Sequence, residues 1–245
     1  MRRSVVALVL VAVAVVAGCA ERTGLPAPTL GPVVEDGATL LAGLAARSAE
    51  QRSVGVEAET TLSGLRVTLS GGLLRTREGT LVSLRQGSDT EVVVLADAGY
   101  SRTGDGAWTR LDLTDRAPVR VDTTVAGLTD EVDPASVVES LAGSLLVETG
   151  DDRVDDVATH RYTLLVDLRA QAERTVDSSR RGRLLAAYES GFTASATVWV
   201  GPGDLPVRVE QVLKTLEGND FQRTVHRFAD WNADIRVTAP TSPGR

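Results

Sequence analysis

Cysteine is almost absent from this sequence: the 245 residues contain one, Cys19. A lone thiol cannot close an internal disulfide, and it cannot supply the paired sulfur ligands of a structural zinc site. Disulfides and cysteine-ligated metal sites are therefore excluded. The position of this one sulfur needs another explanation.

Residues that carry common catalytic chemistry are also scarce. The sequence has two histidines, His160 and His226, and neither belongs to an HExxH motif. The sequence contains no GxSxG nucleophile elbow, no P-loop, and no GxGxxG after a predicted strand. We therefore predict no enzymatic activity, no cofactor and no metal, and we interpret both histidines as residues at a strand surface or rim. A hydrolase would need the fold to bring a Ser or Asp beside one of them.

Positive charge is in deficit, with 26 basic against 33 acidic residues and a formal net charge of −7. An acidic chain is a poor partner for nucleic acid, which we exclude as a ligand. The acidic stretch 151–156 lacks EF-hand spacing, and we interpret it as a solvated loop rather than a cation site. The basic stretch 180–183 is interpreted as a solvated face rather than a site for anionic headgroups.

The N-terminus explains the cysteine. A basic start, Met1-Arg2-Arg3, precedes an apolar run from Ser4 to Val16. At 1.5 Å per residue this run is too short to cross a hydrocarbon core of about 30 Å, and it fits the core of a secretory signal. The following Val16-Ala17-Gly18-Cys19 resembles the lipobox of bacterial lipoproteins. This resemblance implies cleavage before Cys19 and diacylation of its sulfur.

These features predict the organisation of the chain. We expect a signal peptide at 1–18, a lipidated N-terminus and flexible tether at 19–37, one domain at 38–241 and a short tail at 242–245. Pro, Gly and small residues in the tether predict flexibility. The mature protein should therefore sit at the cell membrane, on its extracytoplasmic face, held by acyl chains without spanning it.

Within the domain, the hydrophobic period distinguishes helices from strands. Leucines at helical spacing predict a helix over 39–51, and Asp133-Pro134 predicts the start of another over 134–146. Residues 169–190 are polar, with a weak helical face at Val176, Leu184, Leu185 and Tyr188. Alternating residues, with Ser63-Gly64 as a tight turn, predict a meander of strands. The predicted strands are 54–62, 65–70, 80–86, 90–96, short segments around Tyr100 and Trp108, 160–168, 192–200, 205–213, 221–228 and 234–239.

This pattern predicts an α+β fold in which a long, curved antiparallel sheet packs helices against one face. Each strand alternates apolar and polar residues, as expected for a sheet with one buried and one wet face. Aromatic residues make up 4% of the sequence. Small and β-branched residues on the concave face leave room for a ligand, but they also fill ordinary cores. The pattern therefore does not decide between a cavity and a filled core.

Four stretches carry a resemblance to a known family. They are Ala98-Gly99-Tyr100 with Gly106-Ala107-Trp108, residues 157–162 leading to Val166-Asp167-Leu168, Val198-Trp199-Val200-Gly201 with 205–209, and Phe228-Ala229-Asp230-Trp231-Asn232. Together with the lipobox they resemble the LppX/LprAFG family of actinobacterial envelope lipoproteins. The resemblance implies a LolA/LolB-like fold, in which an incomplete antiparallel barrel wraps over helices around an apolar cavity. It also implies a role in carrying lipids or glycolipids through the envelope.

We therefore predict a membrane-anchored lipoprotein that binds the acyl chains of a lipid or glycolipid without covalent chemistry. Its expected partners are the membrane, the lipid ligand and an envelope transporter. The alternative is an envelope module that docks another protein and has a filled core. The predicted site residues are Cys19 for lipid attachment and, for the cavity wall, Val56, Ala58, Val67, Leu69, Leu84, Val93 and Leu95.

Overall fold

The computed structural model describes residues 28–111, 118–120, 123–175 and 178–240, and it shows the predicted α+β fold. The helices are α1 (Gly37–Ala49), α2 (Val125–Val132), α3 (Pro134–Glu139), α4 (Leu168–Arg174) and α5 (Ser178–Glu189). The strands are β1 (Ser53–Leu62), β2 (Leu65–Arg75), β3 (Thr80–Gln86), β4 (Thr90–Val94), β5 (Gly99–Thr103), β6 (Thr109–Leu111), β7 (Pro118–Arg120), β8 (Thr123–Thr124), β9 (Leu145–Val154), β10 (Val157–Val166), β11 (Thr193–Gly201), β12 (Leu205–Lys214) and β13 (Asp220–Ala229).

The strands form one large antiparallel sheet of eleven strands, in the order β6-β5-β4-β3-β2-β1-β13-β12-β11-β10-β9, and β7 and β8 form a separate pair. The first and last strands meet at the centre, where Gly55 pairs with Ala229 and Leu62 with Gln222. Among the described strands, β6 and β9 each have a neighbour on one side only. The sheet is therefore open, as predicted for an incomplete barrel.

Alternation along the strands gives the sheet an inner face, which packs against helices, and an outer face. One cluster of buried apolar side chains joins the inner face to helices α1, α2 and α3. Leu41 of α1, Leu128 of α2 and Val138 of α3 are each 2% exposed or less. Full burial of such a side chain contributes about 1.5–3 kcal/mol, so packing of this helix layer on the sheet stabilises the fold. The apolar side chains that these helices bury are Leu40, Leu41, Leu44, Ala45, Leu128, Val132, Val137 and Val138.

The first hairpin forms where the sequence predicts it. Ser63 and Gly64 both have positive φ, +47° and +85°, which is the signature of a two-residue type I′ turn. Leu62 and Leu65 are directly paired across it. The predicted helix start is also confirmed, since the Asp133 side chain accepts a hydrogen bond from the backbone of Ala135.

The predicted helix over 134–146 is too long. It ends at Glu139, and Leu145 begins the edge strand β9. The acidic stretch 151–156, which we interpreted as a solvated loop, belongs mostly to this strand. The turn itself is confined to Asp155 and Asp156, which have φ of +47° and +66°. Edge strands tolerate charged residues, so this polar stretch is compatible with a strand. The helical spacing of the apolar residues before it hid this possibility in the sequence.

Two further elements differ from the prediction. Helix α2 was not predicted, although it buries Leu128 and Val132 completely. The predicted strand over 234–239 does not form. The chain leaves the sheet after β13 because Asp230 and Asn232 adopt left-handed conformations, with φ of +52° and +62°, which interrupt extended pairing.

The polar region 169–190 forms two helices, α4 and α5. Leu184 and Leu185 of α5 are half-buried and Tyr188 is exposed, while Val176 lies outside the described residues. None of the α5 residues is fully buried. Helix α5 packs mainly against α4.

Candidate functional site

The inner face of the sheet changes from apolar to polar along the central strands. Near the start of β1 it presents Val54 and Val56, with Phe228 beside Val56 on β13, and all three are buried. Because alternate residues share a face, the same strands present Thr60 and Thr224 on this face further along. Both threonines are half-buried. The concave face thus has a closed apolar end and a more exposed polar end.

The polar side chains of the exposed end, which we call the polar half, are Thr60, Gln211, Gln222 and Thr224, and each of them hydrogen-bonds to another side chain. The hydroxyls of Thr60 and Thr224 lie 3.3 Å apart, and the Gln222 amide donates to Thr224. The Gln211 carbonyl oxygen accepts a 3.1 Å hydrogen bond from Gln171 of α4. Such groups tolerate contact with water or a polar ligand, which the apolar end does not.

His226 lies at the boundary between the two halves. It is 2% exposed, and its neighbours in register are Ala58 on β1 and Val209 on β12. The imidazole ring is nearly parallel to the Phe228 ring, with centroids 6.1 Å apart. Within the described residues, neither ring nitrogen has a hydrogen-bond partner of ordinary geometry, although the backbone of Glu131 interacts with the ring.

Burial lowers the pKa of His226 from 6.5 to about 4, with a smaller contribution from the nearby Arg180 guanidinium, while the backbone of Glu131 opposes the shift. Removing a charged imidazole from water is unfavourable, so the neutral form is preferred. His226 is therefore uncharged at neutral pH. Glu131 belongs to α2, which packs Leu128 and Val132 into the core cluster of the inner face, and Arg180 belongs to α5.

The interpretation of both histidines as surface or rim residues is wrong for His226. A polar side chain in an alternating strand gives no sign of burial, and the sequence cannot show that helices cover it. His160 is different, because its Nδ1 lies 2.7 Å from the Asp151 carboxylate and its Nε2 lies 2.9 Å from the Gly31 carbonyl oxygen. Within the described residues, neither histidine hydrogen-bonds to a serine.

His160 holds part of an N-terminal segment, residues 28–36, against the sheet. The Gly203 amide donates to the Thr29 carbonyl oxygen, and the Val34 amide donates to the Tyr162 hydroxyl. These residues fall within the predicted tether 19–37. The division into signal, tether, domain and tail stays a prediction, and Cys19 lies outside the described residues.

Most of the predicted cavity residues face inward. Val56, Ala58, Leu69 and Leu84 are buried in the core cluster. Val67 lies on the same face of β2 as Leu69 but is half-buried, and it belongs to the more exposed end. A role for these residues in lining a cavity stays a prediction.

The other two predicted cavity residues, Val93 and Leu95, lie in or just after strand β4, and the structure places them differently from the prediction. Leu84 pairs with Val92 and faces the core, so Val92 and Val94 point inward while Val93 lies on the outer face. Leu95 is half-buried and follows the last residue of β4. Three consecutive valines make the alternation ambiguous in the sequence, because either face of this strand is apolar.

Exposed apolar side chains surround the polar half. We call them the apolar rim: Leu62, Leu65, Leu216 and Phe221, which are 38%, 66%, 73% and 38% exposed. They lie on the β1–β2 and β12–β13 turns, which meet where the Ser63 amide donates to the Phe221 carbonyl oxygen. Several large exposed apolar residues in one place are typical of a contact site for another molecule.

Comparison with solved structures identifies the architecture. LprF from Mycobacterium bovis matches with a TM-score of 0.54, covering 87% of this chain and 99% of LprF at 15% identity. The chain has the fold of LprF. Two matches are more distant. Lipoprotein LppX from Mycobacterium tuberculosis matches with a TM-score of 0.43 and 15% identity, over 82% of this chain and 98% of LppX. The complex of MucA and MucB from Pseudomonas aeruginosa matches with a TM-score of 0.41 and 14% identity, over 81% of this chain and 56% of that chain.

No protein-family model and no curated protein sequence matches the chain. The predicted resemblance to the LppX/LprAFG architecture is thus confirmed through LprF, by fold rather than by individual residues. In the described part of this LprF-like fold, no helix is both long and apolar enough to cross a membrane.

The acidic stretch 151–156 is divided between the two faces of the LprF-like sheet. Asp151 binds His160, whereas the Asp152 carboxylate accepts a hydrogen bond from Trp199 Nε1 at 2.9 Å. That hydrogen bond lowers the pKa of Asp152. Neighbouring strand residues point in opposite directions, so these carboxylates cannot share an ion. No cluster of three His, Cys, Asp or Glu side chains in the described residues could hold a metal.

A pocket of about 400 Å³ lies elsewhere, where the outer face meets the β9–β10 turn. Glu57 and Arg227, which are paired across β1 and β13, form part of its wall. Val154 and Val157 form another part. Because Glu57 alternates with the inward-facing Val56 and Ala58, this pocket opens on the side of the sheet opposite to the predicted lipid cavity.

Proposed function

We propose that this protein binds the acyl chains of a lipid or glycolipid between the inner face of its sheet and the helices that cover it. The observation that carries this proposal is the polarity change along the inner face, from Val56 and Phe228 at one end to the polar half at the other. A molecule with acyl chains and a polar headgroup has the same division. The LprF-like fold and the resemblance to envelope lipoproteins support the same function.

Binding of this kind needs no covalent step. Each CH₂ group that leaves water for an apolar site contributes about 0.8 kcal/mol, which offsets the cost of removing the chain from a bilayer. The polar half provides threonine hydroxyls and glutamine amides for the headgroup. The apolar rim would contact the membrane surface while the lipid enters or leaves.

Anchoring completes the proposed role. Diacylation of Cys19, after removal of residues 1–18, would hold the domain at the extracytoplasmic face of the cell membrane. More than one acyl chain is needed for stable anchoring, since a single chain gives only marginal membrane binding. An envelope transporter is proposed as a further partner that supplies or receives the lipid.

A bulky residue on the inner face should reduce lipid binding. Val67→Trp fills space beside the polar half, at a half-buried position that can accept a larger side chain more readily than the tightly packed Ala58. We expect the affinity for a fluorescent diacyl lipid to fall about tenfold, equivalent to about 1.4 kcal/mol. The measurement is a titration of the full chain carrying Cys19→Ser, which removes the acyl anchor.

The matched control is Thr68→Trp, which places the same side chain on the outer face of the same strand, at an exposed position. It should leave lipid binding unchanged. Equal affinities for wild type and Val67→Trp, with both proteins folded by circular dichroism, would show that the inner face is not the site.

The alternative function, docking of another protein by a domain with a filled core, is favoured by the apolar rim. Exposed residues such as Leu65 and Leu216 suit a protein partner as well as a membrane. Replacing both with Ser separates the two functions. Loss of binding to lipid vesicles supports the lipid carrier, whereas unchanged lipid uptake with loss of a co-purified protein supports the docking module.

A further inference from the structure

The outer face of the sheet has a pocket that the proposed lipid-binding function does not use. Its volume is about 400 Å³, which falls within the range of pockets that hold small ligands. One wall is formed by β1 and β13 around Glu57 and Arg227, and the other by the β9–β10 turn with Val154 and Val157. Val207 of β12 extends the apolar wall. The pocket therefore has a charged wall and an aliphatic wall.

The charged wall contains a pair of opposite charges that do not bind each other. Glu57 and Arg227 are directly paired across β1 and β13, a position where opposite charges attract. Arg227 lies between the inward-facing His226 and Phe228, so its side chain points to the outer face. Within the described residues, neither the Glu57 carboxylate nor the Arg227 guanidinium forms a hydrogen bond or an ion pair. Both charges are therefore available to a ligand in the pocket.

The arginines nearest to Arg227 on this face already have partners. Arg208 is paired with Arg227 across β12 and β13, but it forms an ion pair with Glu210, and its guanidinium lies over the Trp199 ring at 4.6 Å. Arg223, further along β13, lies 2.7 Å from the same Glu210 carboxylate. Arg227 is therefore the guanidinium that an anionic group in the pocket would meet.

Negative charge predominates in the pocket. Besides Glu57, its lining includes Asp155 and Asp230, and both of these side chains are exposed. One guanidinium against three carboxylates disfavours a ligand with negative charge only. A ligand with an anionic group for Arg227 and an ammonium group for the carboxylates matches both signs. The valines of the other wall would contact the carbon chain that joins the two groups.

The pocket lies at the end of the domain where the N-terminal segment docks. The Gly203 amide of the β11–β12 turn donates to the Thr29 carbonyl oxygen. A Cβ atom at the adjacent Gly201 would lie 3.6 Å from Val157 of the pocket. The chain from Cys19 to Thr29 spans at most about 35 Å when fully extended. With the acyl anchor proposed at Cys19, this end of the domain is held near the membrane surface, where zwitterionic phospholipid headgroups are concentrated.

We propose that this pocket binds the phosphoethanolamine headgroup of a membrane phospholipid. The phosphate accepts hydrogen bonds from the Arg227 guanidinium and the ammonium group donates to Glu57, and hydrogen bonds between charged groups are the strong ones. The inference goes beyond acyl-chain binding, because it concerns the opposite face of the sheet, and it takes from the proposed function only the anchor at Cys19. A bound headgroup would orient the domain on the membrane. The apolar rim, on turns at the other end of the strands, would reach the same membrane only after release.

The first test uses the full chain carrying Cys19→Ser and the water-soluble probe glycerophosphoethanolamine, with binding followed by NMR. We expect saturable binding that Arg227→Gln and Glu57→Gln each weaken about tenfold, since each removes one charge-assisted hydrogen bond. Glycerophosphocholine, whose ammonium group has no N–H, should bind more weakly. Arg223→Gln is the matched control, because it removes a guanidinium from the same face of the same strand outside the pocket. It should leave the affinity unchanged.

The second test compares sedimentation of the same chain with two kinds of vesicle: phosphatidylcholine alone, and phosphatidylcholine with phosphatidylethanolamine. We expect more protein on the second kind, and we expect Glu57→Gln to remove the difference. Contact through the apolar rim contributes to both and cancels. If the soluble probe binds but the vesicle preference is absent, the ligand is a free zwitterion and the assignment to a membrane lipid is overturned.

Two further results would overturn the site itself: no saturable binding of the soluble probe, or equal affinities for wild type and Arg227→Gln. Neither result bears on the proposed function, because uptake of a fluorescent diacyl lipid at the inner face is measured separately with Val67→Trp. Conversely, loss of acyl-chain binding with retained binding of glycerophosphoethanolamine would leave this site standing while the proposed function fails.

Discussion

The free energy of unfolding should fall by about 3 kcal/mol between pH 6.5 and pH 4 through His226 alone. The pKa of this group is about 4 in the folded protein, against about 6.5 in an unfolded chain. Each unit of difference corresponds to 1.36 kcal/mol. The difference of roughly 2.5 units gives the expected loss.

The sign follows from proton uptake. Below pH 6.5 the unfolded chain binds a proton at His226, while the folded protein does not until the pH nears 4. Acid therefore favours the unfolded state across this window, and the stabilisation is fully present above it. The groups that face the ring from its neighbouring elements are Arg180 of α5, which lowers its pKa, and the Glu131 backbone of α2, which raises it.

Denaturant unfolding of wild type and His226→Leu from pH 7 to pH 4 checks this expectation. Carboxylates with lowered pKa, such as Asp36 and Asp152, destabilise both proteins equally in acid, so the difference between the two curves isolates His226. That difference should change by about 3 kcal/mol over the window. A parallel NMR titration that finds the His226 ring charging near pH 6.5 would show that the side chain is not buried.

Gly71→Ala should destabilise the fold by about 3 kcal/mol or more, lowering Tm by roughly 10 °C in a domain of this size. Gly71 lies in β2 opposite Val56 and Leu84. A Cβ atom there would be 2.0 Å from the Ser83 carbonyl oxygen and 2.9 Å from the Leu84 Cα. Both are backbone atoms, so β2 and β3 would have to separate, which disturbs the inner face beside Val56 and Leu84.

Gly43→Ala in α1 is the matched control, because nothing lies within 4 Å of a Cβ at that position. Alanine favours a helix over glycine by about 1 kcal/mol, so this variant should melt at the same temperature as wild type or higher. Thermal unfolding by circular dichroism compares the two. A Gly71→Ala protein that melts within about 2 °C of wild type would be inconsistent with the close approach of β2 and β3.

Local features of the fold could be predicted because they depend on neighbouring residues. Ser63-Gly64 favours the positive φ values of a tight turn, and Asp133-Pro134 combines a helix cap with a preferred first residue. The same local signals fail where two patterns overlap. Leu145 continues a helical spacing from Val138 and Leu141, yet it belongs to an edge strand that pairs with β10.

Long-range pairing could not be predicted in the same way. Alternation shows which residues of β1 share a face, but not that β13 lies beside β1. Alternation also fails where both faces of a strand are apolar, as at Val93. The prediction of an open barrel came from the resemblance to the LppX/LprAFG family rather than from the pattern itself.

The candidate site was the part least accessible to sequence reasoning. Val56 and Ala58 were recognised as inward-facing because their neighbours are polar. His226 was assigned to the surface because histidine is polar and no nearby residue suggested a role. A histidine that is buried among apolar strand residues departs from the rule that governs ordinary cores, and such exceptions are expected at functional sites.

Native mass spectrometry of the full chain carrying Cys19→Ser, purified without added lipid, tests whether lipid binds between the inner face and the helices. We expect a population whose extra mass matches a diacyl or triacyl lipid, identified by extraction and greatly reduced in Val67→Trp. A chain that carries no lipid when purified and takes up none from vesicles would contradict it.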